Sequence, residues 1–234
     1  MKFNSIFANS EQTQTRKRTD DQDEDYLNMD FSDSIKMFNK PKTVNEVDAY
    51  IDRRVHAPFY YHNLNQFMRM MEPEDTIRIW LNTEGGYLSS ALQIIDSMTS
   101  SKGKVIVVMS GDVMSAGSMI ALGAPNVVVG EQARMMIHCA RYGVAGKSPD
   151  IVDRVAFETR ELHSIMKRVY EGFLTEDELT RVMEGKEMYF NADEIISRLE
   201  KRAEYQKNLI KESEKPAIKS IKSSTKRTKV ANNS

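Results

Sequence analysis

Between Thr76 and His138 the chain changes its hydrophobic period at nearly every glycine, and that punctuation limits the folds open to it. Thr76-Ile-Arg-Ile-Trp-Leu81 alternates polar and apolar residues, as a strand with one buried face does. Gly85-Gly86 ends it, and Leu88, Ala91, Leu92 and Ile95 then recur at helical spacing as far as Ser101-Lys102-Gly103. Lys104 to Met109 is a β-branched run short enough for a buried strand, broken at Gly111. Ala116 to Leu122 reads as a short apolar helix, and Val127–Val129 and Met135–His138 as two further strands. Strand and helix in alternation predict an α/β domain with right-handed crossovers.

A long helix follows. Ser148 is placed to cap it, Pro149 suits its first turn, and Leu162, Ile165, Met166 and Val169 form one stripe before Gly172 ends it. A helix on the order of 30 Å long exceeds what a small core can cover, so its outer part is expected to pack on another subunit. Thr175 and Glu178 have the spacing of a capping box for a shorter helix through Leu179 and Val182.

The 234 residues suit one domain with tails, and 40% hydrophobic against 29% charged residues suits a core in a water-soluble protein. Residues 1–40 are expected to be a disordered polar and charged segment: Arg16, Lys17 and Arg18 precede Asp20, Asp21, Asp23, Glu24 and Asp25. Residues 41–200 are expected to fold. Residues 201–234 carry ten Lys or Arg against three Glu and are expected to be a disordered basic tail, either solvated or an arm for a partner or nucleic acid. A net charge of -1 gives no wider reason to expect nucleic acid or an acidic membrane surface. With Cys139 alone, neither a disulfide nor a cysteine zinc site forms within the chain; no apolar run reaches membrane-spanning length. A cytoplasmic protein without a metal is the expectation.

Chemistry concentrates in three places. In Gly111-Asp-Val-Met-Ser115-Ala-Gly117 the serine stands between a buried strand and a helix N-terminus, where it serves either as an N-cap or as a nucleophile. The segment is not the Gly-x-Ser-x-Gly elbow of α/β-hydrolases, because residue 113 is Val. Gly85-Gly86 either makes a tight turn or brings the Gly86 N–H beside that of Ala116, giving two donors for an oxyanion. Among four histidines, His56, His62 and His163 read as surface or packing residues. His138 ends a strand, where sheet enzymes place catalytic groups, and is either a general base for Ser115 or a core histidine. Met68, Met70 and Met71 read as core packing rather than a docking groove.

Leu81-Asn-Thr-Glu-Gly-Gly86, Gly111-Asp-Val-Met-Ser115-Ala-Gly117 and Arg134-Met-Met-Ile-His138, in that order, resemble the proteolytic subunit of Clp proteases (ClpP). That family shows Asn-Ser-Pro-Gly-Gly, Gly-x-x-x-Ser-x-Gly and Arg-x-Met-Ile-His at these points, and the likeness covers roughly residues 55–195. It implies a ClpP/crotonase-type α/β fold of repeated β-β-α and βαβ units with a protruding handle helix. It also implies a serine endopeptidase with Ser115 as nucleophile, His138 as base, Glu187 where the family usually has Asp (with Glu184, Asp193 and Glu194 as nearby competitors), and an oxyanion hole from Gly86 and Ala116. Stacked heptameric rings forming a tetradecamer, fed unfolded protein by a separate ATP-driven AAA+ unfoldase, follow from the same resemblance; ATP would act only through that partner. Thr83-Glu84 replaces the family's Ser-Pro, and the closing Tyr-Gly-Leu motif is missing. Those departures keep three alternatives open: a virus-type protease for capsid or scaffold proteins, a non-catalytic ring subunit, and a crotonase-like acyl-CoA enzyme.

Overall fold

The structure is a computed structural model that describes residues 44–230, so the expectation for residues 1–40 lies outside the described residues. Strand β1 (Glu46–Ile51) leads through a short 3-10 turn (Pro58–Tyr61) into α1 (His62–Met70). Then come β2 (Thr76–Thr83), α2 (Leu88–Ser100), β3 (Lys104–Met114), α3 (Ala116–Gly123), β4 (Val127–Val129) and β5 (Arg134–Ile137). After these come α4 (Ser148–Tyr170), α5 (Glu176–Met183), β6 (Met188–Phe190) and α6 (Ala192–Val230). The sheet runs β1-β2-β3-β5-β6, with β4 also paired to β3; all pairs are parallel except β5 with β6.

The predicted strands and helices from Thr76 to Ile137 all form. Ile77, Ile79 and Leu81 of β2 are buried in alternation, and Val105, Val107 and Met109 of β3 join them. Helix α1 packs on α2, α2 on α3, α3 on α4 and α4 on α5, while α3 lies against β2, β3 and β5 and α6 against β4 and β5. Each fully buried Ile or Leu side chain in this core is worth roughly 1.5–3 kcal/mol of transfer free energy. In α2 the inner face is Ala91, Ile94 and Met98, with Leu88, Leu92 and Ile95 packed at its margin. Met68 and Met71 enter the core as expected, whereas Met70 is 70% exposed.

Gly111 does not end β3. The strand continues to Met114 because Asn82 accepts from the Asp112 N–H at 2.9 Å, supporting the backbone where the β2 register shifts between Leu81 and Thr83. Glycine is needed there for close approach, since a Cβ at residue 111 would stand 2.6 Å from Asn82 Oδ1. This continuation matters for the site. β3 pairs with β4 through Val107–Met109 and with β5 through Asp112–Met114, so its second half takes the partner that carries His138.

Helix α4 is buried only from Leu162 onward, through Met166, Val169 and Tyr170; Val152 and Phe157 in its outer half are exposed. Its N-cap is Lys147 with no side-chain cap bond, so Ser148 is the first helical residue rather than the cap. The α5 capping box forms as its spacing predicts: Thr175 accepts from the Glu178 N–H, and Glu178 accepts from the Thr175 N–H.

The expected boundary at residue 200 falls inside a helix. Residues 201–230 continue α6, and two side chains hold the part just past residue 200 to the domain. The Arg202 guanidinium donates to the Leu122 and Val169 carbonyls, at 2.7 and 3.0 Å, near the ends of α3 and α4. Tyr205 lies over Gly172 and donates to Glu171 at 3.0 Å. No helix of the described residues is long and apolar enough to cross a membrane.

Candidate active site

Pairing of β3 with β5 brings the serine and the histidine together. Met114 lies opposite Met136, and the Ser115 N–H donates to the Met136 carbonyl at 2.8 Å, which leaves His138 just beyond the strand end beside Ser115. The Ser115 backbone has φ 54° and ψ -119°, the one non-glycine residue with positive φ among the described residues. That conformation costs about 1–3 kcal/mol for a residue with a Cβ and persists only where the surroundings impose it. Its effect is to lift the side chain off the α3 N-terminus. The hydroxyl makes no capping bond; Ser115 Oγ lies 2.7 Å from His138 Nε2.

The antiparallel pairing of β5 with β6 delivers the acid. Ile137 lies opposite Met188, so the next pair outward sets His138 against Glu187. Glu187 Oε1 is 3.7 Å from His138 Nδ1, beyond the roughly 3.2 Å limit of a good N–H···O bond. The other oxygen, Oε2, accepts from the Tyr189 hydroxyl at 2.7 Å. That bond, with smaller help from the charges of His138 and Arg141, holds the Glu187 carboxyl below its ordinary pKa. Glu194 is engaged elsewhere, exchanging hydrogen bonds with Asn191 at the start of α6.

Gly85 and Gly86 press against the serine from the β2 side. A Cβ on Gly85 would lie 2.6 Å from Ser115 Cβ and 3.1 Å from the Ala116 nitrogen; one on Gly86 would lie 2.1 Å from the Val55 carbonyl oxygen. Val55 clamps the turn, donating to Gly85 O and accepting from Tyr87 N. Thr83, in place of the family's serine, is part of the turn: its hydroxyl donates to Arg53 O at 2.6 Å and accepts from Gly85 N at 3.1 Å. The signal for it was a threonine two residues before a glycine, the spacing of a side-chain-closed turn. The Gly86 and Ala116 N–H groups take no hydrogen-bond acceptor among the described residues.

The structure therefore brings Ser115, His138, Gly86 and Ala116 into one locus, with Glu187 at its rim. His56, His62 and His163 are exposed and do not reach it. Cys139, next to His138, is a half-buried free thiol. Among the described residues no group of three or more His, Cys, Asp or Glu is placed to hold a metal ion.

A mostly parallel sheet sets a strained serine beside an imidazole and a glycine turn, within a mixed α/β protein. The family model described as Clp protease matches residues 40–198, and the chain belongs to that family. A solved mutant form of ClpP1 from Listeria monocytogenes is similar in fold, with a TM-score of 0.52 and 19% identity over 64% of this chain and 86% of that one. Family membership makes the protein a ClpP-type peptidase; members generally form oligomeric rings with AAA+ partners.

Proposed function

We propose that the protein is a serine endopeptidase in which Ser115 attacks the peptide carbonyl, His138 moves the proton and Glu187 supports the imidazole. The observation that carries this reading is the 2.7 Å approach of Ser115 Oγ to His138 Nε2 at a backbone turn that no capping role explains. His138 Nε2 takes the hydroxyl proton as Oγ bonds to the carbonyl carbon, and the oxygen that becomes negative is held by the Gly86 and Ala116 N–H groups. The imidazolium then gives its proton to the leaving amine, the C–N bond breaks, and an ester on Ser115 remains. Water, deprotonated by His138, hydrolyses that ester. The carboxylate of Glu187 beside Nδ1 favours the tautomer with Nε2 free to accept and stabilises the positive ring.

Substrates are unfolded polypeptides cleaved inside a chamber of stacked rings in the cytoplasm, supplied by a separate AAA+ unfoldase that alone uses ATP. The half-exposed α4, with Val152 and Phe157 outward, supports a ring-to-ring contact.

A fluorophosphonate probe tests the chemistry. It should label Ser115 in the wild type, not at all in Ser115→Ala, and at least about a hundredfold more slowly in His138→Ala. A folded, assembled protein that never labels would make it a non-catalytic ring subunit, and saturable acyl-CoA binding would favour crotonase-like chemistry.

A further inference from the structure

Behind Ser115 lies a buried pair of hydroxyls that the reaction as described does not use. Ser118 of α3 and Tyr170 at the end of α4 have oxygens 2.8 Å apart, and Ser118 Oγ donates to the Ser115 carbonyl at 2.7 Å. Ser118 is wholly buried and Tyr170 is 1% exposed. The Ser118 hydroxyl has one proton, and it is committed to Ser115, so Tyr170 must be the donor in the other bond. The order is Tyr170 O–H to Ser118 O–H to Ser115 C=O. Burial holds the phenol neutral well above the ordinary tyrosine range, so the donor proton stays in place.

The Ser115 carbonyl and the Ala116 N–H belong to one planar trans peptide and point in opposite directions. Whatever grips the carbonyl from inside aims the N–H outward. The carbonyl already accepts from the Ser118 and Met119 N–H groups at 2.9 and 3.3 Å, and the Ser118 hydroxyl is its third and shortest donor. Hydrogen bonds in series polarise one another, so a donor chain ending on this oxygen draws electrons from the amide and makes its N–H a stronger donor.

We propose that Tyr170 and Ser118 are positioning residues for oxyanion stabilisation, orienting and polarising the Ser115–Ala116 peptide so that its N–H serves the transition state. The inference rests on the peptidase reading above. Neither residue touches substrate. Their effect reaches the reacting carbonyl only as its oxygen gains charge, so it appears in kcat and not in KM.

The test uses full-length protein, a fluorogenic peptide, and a peptide aldehyde whose adduct with Ser115 puts an oxyanion-like oxygen in the hole. Tyr170→Phe and Ser118→Ala should each lower kcat about three- to tenfold, less than loss of a direct donor, with KM within about twofold. Aldehyde affinity should fall by the same factor as kcat. The double variant should be no slower than Ser118→Ala, because Tyr170 acts through Ser118. Variants that melt earlier yet keep wild-type kcat and aldehyde affinity would make the pair mere packing and overturn the proposal. Tyr170→Phe, which keeps the ring, guards against a folding failure in Ser118→Ala. Failure of the wild type itself to label at Ser115 would overturn the peptidase reading and this inference together, whereas normal labelling with unaffected variants removes this inference alone.

Discussion

Glu187 faces His138 across the β5–β6 pair but stops 3.7 Å from Nδ1, with its second oxygen bound to the Tyr189 hydroxyl. The longer side chain of glutamate, compared with the aspartate usual in the family, gives the carboxylate reach to Tyr189, two residues further along the chain. Loss of its charge should still slow turnover: Glu187→Gln is expected to reduce kcat/KM by about 10–100-fold with the fold intact, less than for a tightly bonded triad acid because this one is half exposed. Steady-state kinetics beside a thermal melt would show it, and near-normal activity would remove Glu187 from the mechanism.

Tyr189 offers a second handle on the same carboxylate. Its hydroxyl is the largest cause of the lowered Glu187 pKa, and a donor to a carboxylate stabilises the charged form. Tyr189→Phe should therefore move the Glu187 titration upward toward the ordinary carboxyl range. Carbon-13 NMR of labelled glutamate reads the shift; an unmoved or lowered titration would contradict the assignment.

The strained turn at Ser115 predicts an unusual stability order. Glycine accepts φ 54° freely, whereas alanine keeps the serine's strain. Ser115→Gly should be more stable than Ser115→Ala by about 1 kcal/mol despite the greater flexibility of its unfolded chain. Urea unfolding of the two inactive variants measures the difference, and a less stable glycine variant would mean that the turn is not strained.

Acid should loosen the α5–α6 corner. Arg198 holds Glu178 in two bonds at 2.7 and 2.9 Å, and this pairing is the main reason the Glu178 pKa lies at about 2 instead of 4.5. Because the folded pKa is the lower one, the stabilisation is complete above about pH 5 and is lost as the pH falls toward 2, roughly 2–3 kcal/mol in all. Glu178→Gln should lose that amount at neutral pH and show a flatter decline between pH 5 and 2. Parallel stability curves for the two proteins would refute it.

Arg202 ties three helices through the Leu122 and Val169 carbonyls. Arg202→Lys keeps the charge but not the planar fork, and Arg202→Met keeps only the stem; both should cost about 2–4 kcal/mol by leaving a carbonyl or a charge unpaired. Denaturant unfolding decides, and a loss under about 0.5 kcal/mol in either would relegate residue 202 to the surface.

Local signals sufficed where the structure depends on local physics. The alternation in Thr76–Leu81, the β-branched run from Lys104 and the Thr175–Glu178 box each act within a few residues, and β2, the first half of β3 and the α5 cap formed as those patterns predicted. The order of Ser115, His138 and Glu187 was also visible, but not their approach to one another. That was decided by which half of β3 takes β5, by the antiparallel β5–β6 register, and by Asn82 carrying β3 past a glycine that reads as a stop. The links from Tyr170 to Ser118 and from Arg202 to Leu122 join residues 52 and 80 positions apart and leave no periodic trace. Backbone and side-chain partners at that separation are chosen by the packing of the whole core, so only the tertiary structure, through non-local pairing and burial, could bring them into contact.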